Sequence, residues 1–417
     1  MRTRLVSWLE AFGDAFWVRP ALLVALAVAL GHAMVWAERS GITASLIDSG
    51  WVYAGGEAGA RSLLGAVASS SISVAGTVFS ITVAALSLAS GQMGPRLLRN
   101  FNRDAGNQVV LGIFLGTFAY ALVLLRTVRS VEEVIFVPHL GITVALGLAL
   151  LCVGALVWFV HHVASGINVD TVIAQVHADL ASAIAALEPG TDAPAPVEAG
   201  QTGARAVRFA GGGYLRALDE EALGDWAAQA GATLRLRVRP GDFLLPGGVV
   251  GSVAGGGEGD ADAAFAGAAA VGEWQAAAQD LEFAVRQLVE VAVRALSPGI
   301  NDPFTAAAVI ERLGAALCAL VGRRLPDPVL RRGGRAVLLR HGTDYDGLCD
   351  AMFHMIRQNG AGSTAVLIRL VETLRRVEEV EEDPRRRATL RRHLGLALAA
   401  GHRQGSLPEG EPWTERA

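Results

Sequence analysis

Residues 62–95 read SLLGAVASSSISVAGTVFSITVAALSLASGQMGP, and this stretch decides the fold because it contains no charged side chain. A helix needs about 20 apolar residues to cross the hydrocarbon core of a bilayer. Inside that core every backbone polar group must find a partner within its own segment, which favours a helix. The stretch therefore predicts a membrane-spanning helix.

Three further runs in the first 165 residues are nearly free of charge. They lie between Arg19 and Glu38, between Asp104 and Arg126, and between Glu133 and Asp170. We therefore predict a transmembrane domain over residues 1–165 with four helices, at about 17–37, 63–91, 107–126 and 139–162. Two acidic residues precede the first run, and bulky residues end it, which favours an uncleaved span over a signal peptide.

The composition of the whole chain agrees with a membrane protein. Of its 417 residues, 52% are hydrophobic and only 18% are charged, and the mean hydropathy is +0.39. The net charge of −4 argues against a nucleic-acid-binding protein. The three cysteines are far apart in the sequence and offer neither a disulfide framework nor clustered zinc ligands.

Arginines near the ends of the predicted spans set the expected orientation. The N-terminal segment and the loop between the second and third spans each contain three of them. Because positive charge is retained on the cytoplasmic side, we expect both termini in the cytoplasm of a bacterial cell and the spans in its inner membrane.

The rest of the chain predicts a cytoplasmic α+β domain. Residues 166–204 predict a helical extension followed by a linker rich in Pro and Ala. Residues 205–250 predict a small β-rich module, and residues 251–270 a Gly- and Ala-rich loop. Residues 271–403 show helical periodicity, and residues 404–417 predict a flexible tail. The fold class is thus membrane α-helical with an added α+β domain.

Small and hydroxyl-bearing residues recur along the second span at helical spacing. The candidate pore-lining residues are Ser69, Ser73, Gly76, Thr77, Ser80, Ala84, Ser87 and Gly91. Such a stripe can serve close packing of helices, because small side chains let backbones approach. It can also line an aqueous path in a homo-oligomer, where hydroxyl oxygens replace part of the hydration shell of a small ion.

Positive charge follows the second span directly, with Arg96, Arg99 and Arg103 after a Gly-Pro break. One interpretation is ordinary anchoring of the topology by positive charge. The other is a basic ring at the inner mouth of a pore, or a site for lipid phosphates.

Two places in the cytoplasmic region are candidates for ligand or subunit contact. Arg235 and Arg237 alternate with apolar residues in a predicted strand, which indicates a solvated face or a site for an anionic group. Asn301 and Asp302 lie in the corner SPGINDPFT, where Asp302 can cap a helix that begins at Pro303. That corner predicts a capped turn or a contact with a ligand or subunit.

The sequence contains no convincing set of nucleophile and base, so we expect neither an enzyme nor a resident cofactor or metal. No predicted span contains a carboxylate, which disfavours a proton-driven transporter.

Four segments together resemble a bacterial family of predicted membrane proteins, domain-of-unknown-function family 2254. They are SISVAGTVFSITVAALSLASGQMGPRLLRNF (71–101), GYLRALD (213–219), RPGDFLLPG (239–247) and QDLEFAVRQLVEVAVRALSPGINDPFTA (279–306). The resemblance implies four N-terminal spans and a cytoplasmic region, and it implies no activity or site residue.

These observations predict an oligomeric channel or passive pore lined by the second span, with the cytoplasmic domain as gate or vestibule. The alternative is a membrane-anchored sensor or scaffold whose cytoplasmic domain binds a ligand or partner. An enzyme acting on lipid headgroups is a weaker third hypothesis, because the sequence provides no catalytic group for it.

Overall fold

The computed structural model divides the chain into two compact units, Met1–Thr171 and Val172–Ala417. It describes residues 16–40, 52–93, 105–131, 134–166, 168–192, 203–256, 259–273, 281–342 and 344–405. The first unit is mainly helical and the second combines helices with two sheets. A helical N-terminal region with several apolar helices, followed by a mixed α/β region, is thereby confirmed.

The N-terminal unit contains four long apolar helices. They are α1 (Val18–Arg39), α2 (Glu57–Met93), α3 (Ala105–Thr127) and α4 (His139–Gly166). A short antiparallel pair, β1 (Arg129–Val131) and β2 (Val134–Phe136), joins α3 to α4. Each helix overlaps one predicted span; α1 starts one residue later than predicted and α2 six residues earlier. The end of α1 takes in Glu38, whose carboxylate accepts the backbone N–H of Leu140 in the first turn of α4.

Glycines bring α1 and α3 together. A Cβ atom on Gly112 would lie 2.5 Å from Cδ1 of Leu23 and 3.2 Å from Cα of Pro20, and one on Gly116 would lie 3.2 Å from Cβ of Ala27. Small residues at i and i+4 allow this close approach of two helix backbones. The glycines of α3 therefore act as a packing surface within the chain.

Five helices in the described residues are long and apolar enough to cross a membrane. Four are the helices of the N-terminal unit, and the fifth is α9 (Pro303–Leu320) in the C-terminal unit. The side chains of Ile310, Leu313 and Leu317 in α9 are fully buried against that unit. Length and composition alone thus admit a fifth segment, and the number of four spans stays a prediction.

The C-terminal unit begins with α5 (Val169–Ala185), which crosses the boundary between the units, and is built around two sheets. The five-stranded sheet has the order β3 (Arg205–Phe209), β7 (Gly248–Gly255), β5 (Ala232–Leu236), β10 (Arg335–Leu339) and β9 (Val329–Arg332). Only the β5–β10 pair is parallel. The three-stranded sheet has the order β6 (Phe243–Leu244), β4 (Gly213–Leu218) and β8 (Ala269–Gly272).

Helices α6 (Glu220–Gln229) and α7 (Ala261–Ala268) pack on these strands. Asp219 caps α6 by accepting the backbone N–H of Ala222, as its position before the helix predicts. The shared core includes Leu223, Leu234 and Phe265, which are fully buried.

The Gly- and Ala-rich stretch 251–270, predicted as a loop, contains regular structure. It includes most of β7, all of α7 and the first residues of β8. Gly251 pairs with Leu236 of β5, and a Cβ there would lie 2.4 Å from the carbonyl oxygen of Arg235. The glycine is therefore required by the close approach of two strands, and the prediction of a loop is wrong.

The described part of the region predicted as helical, 271–403, contains five helices and one hairpin. The helices are α8 (Leu281–Ala295), α9, α10 (Tyr345–Asn359), α11 (Thr364–Val380) and α12 (Pro384–Gln404). The hairpin of β9 and β10 was not predicted, and it adds two strands to the sheet. Its Gly333 and Gly334 have φ of 55° and 78°, the left-handed values that a two-residue hairpin turn requires.

Candidate functional site

The predicted stripe lies on the free face of α2. Every candidate residue of the stripe is exposed, from Ser69 to Gly91. Among the described residues, a Cβ on Gly76 would have no atom outside the backbone of its own helix within 4 Å, and the same holds for Gly91. The stripe therefore does not pack against the other described helices.

The opposite face of α2 forms the contact with α3 and α4. Residues buried on it include Leu64, Val67, Ala75, Val78 and Ala85, together with Ser71 and Thr82. Ala75, Val78 and Ala85 belong to a cluster that also contains Phe114 of α3 and Phe159 of α4. One face of α2 thus holds the unit together, and the other carries the hydroxyl groups.

Stripe hydroxyls donate to carbonyl oxygens of their own helix. Ser73 Oγ donates to Ser69 O over 2.7 Å, Ser80 Oγ to Gly76 O over 2.9 Å, and Thr77 Oγ1 to Ser73 O over 3.2 Å. These bonds satisfy the hydroxyl hydrogens within the helix. Each oxygen keeps lone pairs that face outward from the chain and can accept from water or coordinate a cation.

The three arginines that follow the second span, Arg96, Arg99 and Arg103, lie outside the described residues.

The corner that contains Asn301 and Asp302 is a capped turn. Asp302 caps α9 by accepting from the backbone N–H of Phe304 and Thr305 and from the Thr305 hydroxyl over 2.6 Å. This hydroxyl bond lowers the pKa of Asp302, with burial opposing and the backbone bonds assisting. Asn301 has a φ of 50°, the left-handed value that Asn tolerates at such a corner. Contact with a ligand or subunit at this corner stays a prediction.

The arginine row predicted on one strand face is divided by the structure. Arg235 lies in β5 and is half-buried, whereas Arg237 follows the strand and is exposed. The third arginine of the row, Arg239, forms an ion pair with the buried Glu282 of α8, with 2.7 Å between Nη1 and Oε1. The row is therefore not one uniform basic surface, and an anion site at Arg235 and Arg237 stays a prediction.

A cavity of about 1010 Å³ opens in the C-terminal unit. Its lining includes Arg286, Arg340, Arg385 and Arg392, and also Glu282, Asp344 and Asp346. The volume is at the upper end of the range for small-molecule sites, about 300–1,000 Å³. Its lining mixes both signs of charge, so it suits a polar ligand better than an apolar one.

A cluster of two histidines and one carboxylate joins α10 to α12. Asp350 Oδ1 lies 3.3 Å from Nε2 of His354 and 3.0 Å from Nε2 of His393. Burial, with a contribution from the neighbouring Arg392, lowers the pKa of His393 to about 4. Burial is the largest single effect on the pKa of Asp350 and acts to raise it. The hydrogen bond from Arg392 and the charges of His354, Arg392 and His393 together outweigh burial, so the net shift of the pKa is downward. At neutral pH the cluster thus combines a neutral imidazole with a carboxylate anion.

The sequence predicts the stripe but neither the cavity nor this cluster. The spacing of Asp350 and His354 by four residues on one helix was a signal, because such residues share a face. His393 lies on a different helix, and only the packing of α12 against α10 brings it to the other two.

The chain is similar to one family of proteins and to two mycobacterial relatives described here. A family model described as "Predicted membrane protein (DUF2254)" matches residues 13–376. An uncharacterised protein of Mycobacterium tuberculosis (strain CDC 1551 / Oshkosh) is 33% identical over 416 residues, covering 97% of this chain and 79% of the relative. An uncharacterised protein of Mycobacterium bovis (strain ATCC BAA-935 / AF2122/97) has the same identity and coverage. No solved structure matches the chain.

Proposed function

We propose that this chain, which belongs to the DUF2254 family of predicted membrane proteins, assembles into a homo-oligomeric pore lined by α2. The observation that supports the proposal is that the hydroxyl stripe of α2 is exposed along its whole length while the opposite face of the helix is buried. In this proposal the spans lie in the bacterial inner membrane, both termini are cytoplasmic, and the C-terminal unit acts as vestibule or gate.

The stripe and the buried face lie on opposite sides of the axis of α2. Successive residues are about 100° apart around the axis, so the eight stripe positions fall within an arc of about 100°. The buried positions, such as Val78 and Thr82, are centred about 180° from that arc. A helix divided in this way presents hydroxyl groups directly away from its own subunit.

Exposed apolar residues border the stripe on both sides. Ile72 and Phe79 lie on one side, and Ile81 and Leu88 on the other. In a ring of copies around one axis, these borders would contact neighbouring subunits while the stripe would face the axis. Lone pairs of Ser73 and Ser80 would then replace part of the hydration shell of a passing ion.

Single-channel recording from the purified protein in planar bilayers tests the proposal. Ser73→Leu and Ser80→Leu place a bulky apolar side chain in the proposed path and are expected to lower unitary conductance at least about tenfold, because an apolar constriction excludes water. Gly147→Leu on α4 is the matched control. Gly147 is exposed, and a Cβ there would have no atom of another described element within 4 Å, so conductance is expected to stay at the wild-type value.

Absence of conductance, or an equal loss in all three variants, would remove the pore hypothesis. The reversal potential in asymmetric salt then gives the sign of the permeant ion. Outward-facing hydroxyl oxygens favour cations, whereas a mouth formed by Arg96, Arg99 and Arg103 would favour anions.

The cavity of the C-terminal unit supports a second candidate function, that of a membrane-anchored sensor for a polar small molecule. Its volume and its charged lining suit such a ligand. The full-length protein would be heated with a panel of nucleotides and sugar phosphates, and a true ligand is expected to raise the midpoint of unfolding. The cavity variant Arg385→Ala should reduce that rise, whereas a panel without any effect would count against the sensor.

A further inference from the structure

We propose that Asp350, His354 and His393 form a binding site for one divalent transition-metal ion with the coordination preference of Zn²⁺. This site is separate from the stripe of α2 and does not depend on the pore hypothesis. All three potential ligand atoms lie within 4.8 Å of one another.

The distances within the cluster fit a shared ion. A zinc ion holds nitrogen and oxygen ligands at about 2.0–2.2 Å, so two ligand atoms lie about 3.3–3.6 Å apart at tetrahedral angles and about 2.8–3.1 Å apart at octahedral angles. The two distances from Asp350 Oδ1 to the imidazole Nε2 atoms are 3.3 Å and 3.0 Å. An ion could therefore be shared between Asp350 and either histidine without large movement, and the two imidazoles, whose ligand atoms lie within 4.8 Å of each other, would close on it.

The two helices position the ligands in different ways. Asp350 and His354 are four residues apart on α10, so they project from one face of that helix. His393 comes from α12 and is only 1% exposed, with its ring packed edge-on against Phe353 at 5.7 Å between centroids. A fixed buried histidine and two half-exposed partners give a site that is preorganised on one side and open to solvent on the other.

Two nitrogens and one oxygen are the donor set that a zinc-class ion accepts. Three protein ligands leave at least one coordination position for water or an external ligand. His393 Nδ1 has no hydrogen-bond partner in the described part of the chain. Because an acceptor at the second ring nitrogen strengthens metal binding, we expect affinity about 10–100-fold below that of a site with such an acceptor.

Arg392 competes with the ion for the carboxylate. Its Nη2 lies 2.7 Å from Asp350 Oδ1 and 3.4 Å from His393 Nε2. The side chain of Arg392 is 44% exposed, so it can swing into solvent when a cation takes its place. Breaking an exposed ion pair of this kind costs about 0.2–1 kcal/mol, which corresponds to at most about a fivefold loss of metal affinity.

Metal titration of the full-length protein in detergent tests the site. The protein, without a histidine tag, is treated with a chelator, dialysed, and titrated with Co²⁺ while visible d–d absorption is recorded. We expect one equivalent of Co²⁺ to bind and one equivalent of Zn²⁺ to displace it. His354→Gln removes a proposed ligand and is expected to lower the affinity for Co²⁺ by more than the about 10–100-fold that loss of an outer-shell partner costs. His354 is partly exposed, so this variant is expected to fold, and its unfolding midpoint in the absence of metal provides the check.

Two further variants complete the test. His341→Gln removes an exposed histidine of the same unit that lies outside the cluster, and its Co²⁺ affinity is expected to equal that of the wild type. Arg392→Ala removes the competing cation and is expected to raise the affinity about two- to fivefold. Failure to bind one equivalent of Co²⁺, or binding that His354→Gln leaves unchanged, would overturn the proposal.

Discussion

Two small-residue surfaces occur in the N-terminal unit, and they differ in what they contact. On α3, Gly112 and Gly116 are buried against α1, and a Cβ on Gly112 would collide with Leu23. On α2, Gly76 and the serines around it are exposed, and a Cβ on Gly76 would contact none of the other described helices. Small residues therefore serve close helix packing on α3, whereas on α2 they remain available for contacts outside the chain.

The hydroxyl groups of the two surfaces also differ. Tyr120 of α3 is fully buried, and its hydroxyl donates to the carbonyl oxygen of Gly141 on α4 over 2.9 Å. Thr117 of α3 accepts from the thiol of Cys152 on α4 over 3.3 Å. These bonds link two helices, whereas Ser73 and Ser80 donate only to their own helix. On the packed faces, polar groups thus join two helices. On the stripe, the hydroxyl oxygens remain available as acceptors for groups outside the chain.

The exposure of the stripe separates its two interpretations, close packing of helices and lining of an aqueous path, more sharply than the sequence does. Packing within the chain is excluded for the described stripe residues, because they are exposed. What remains is contact with lipid, with another copy, or with water. Hydroxyl groups gain nothing from lipid tails, so water or a second copy is the better explanation for their number.

The largest expected effect is that of Gly112→Leu. Its side chain would overlap Leu23 and the backbone of Pro20, which we expect to destabilise the N-terminal unit by about 3 kcal/mol or more. Unfolding in mixed micelles with increasing SDS measures this loss. Gly76→Leu is the matched control on the stripe, and we expect its unfolding midpoint to equal that of the wild type. Equal destabilisation by both substitutions would show that the two surfaces do not differ as described.

The next effect concerns access of water to the stripe. In a chain whose exposed Cys318 is replaced by Ser, Ser80→Cys should react with a charged, membrane-impermeant thiol reagent at least about tenfold faster than Val153→Cys, because only a hydrated thiol ionises. Val153 on α4 is 62% exposed in the chain and serves as the lipid-facing control. Similar slow labelling at both positions would mean that Ser80 faces lipid or a dry interface.

Local rules predicted much of the fold from the sequence. The charge-free runs located α1 to α4, and Asp302 before Pro303 predicted the start of α9. Helical spacing also placed the stripe on one face of α2. These features depend on residues that are near one another along the chain, so a single sequence suffices to recognise them.

Features that depend on distant parts of the chain were not predicted. The sequence of β7 predicts a loop because Gly251 has no side chain that could show a strand pattern. The need for glycine at this position appears only in the fold, where the backbone of Arg235 lies too close for a Cβ atom. The cluster of Asp350, His354 and His393 needs His393 beside Asp350, 43 residues earlier, and no local pattern joins them. The exposure of the stripe also follows from packing, because periodicity alone does not tell which face of a helix is buried.

A smaller effect is expected when the bond between α3 and α4 is removed. Tyr120→Phe keeps the ring and deletes only the hydroxyl that donates to Gly141. Interhelical hydrogen bonds in membrane proteins contribute about 0.6 kcal/mol on average and at most about 1.7 kcal/mol. SDS unfolding should therefore show a loss within that range, and a loss above 3 kcal/mol would indicate that the ring itself had been displaced.

The smallest effect is expected for Ser80→Ala, which removes a hydroxyl whose only described bond is to Gly76 of the same helix. Alanine has a higher helix propensity than serine, and the lost bond is local, so stability should change by less than about 0.5 kcal/mol. If the hydroxyl faces water in a pore, the same substitution should still lower unitary conductance, because the path loses an oxygen that replaces hydration. A change in conductance without a change in stability is the combination that packing within the chain cannot produce. Destabilisation as large as that of Tyr120→Phe would instead mean that Ser80 joins helices, and the contrast between the two faces would be lost.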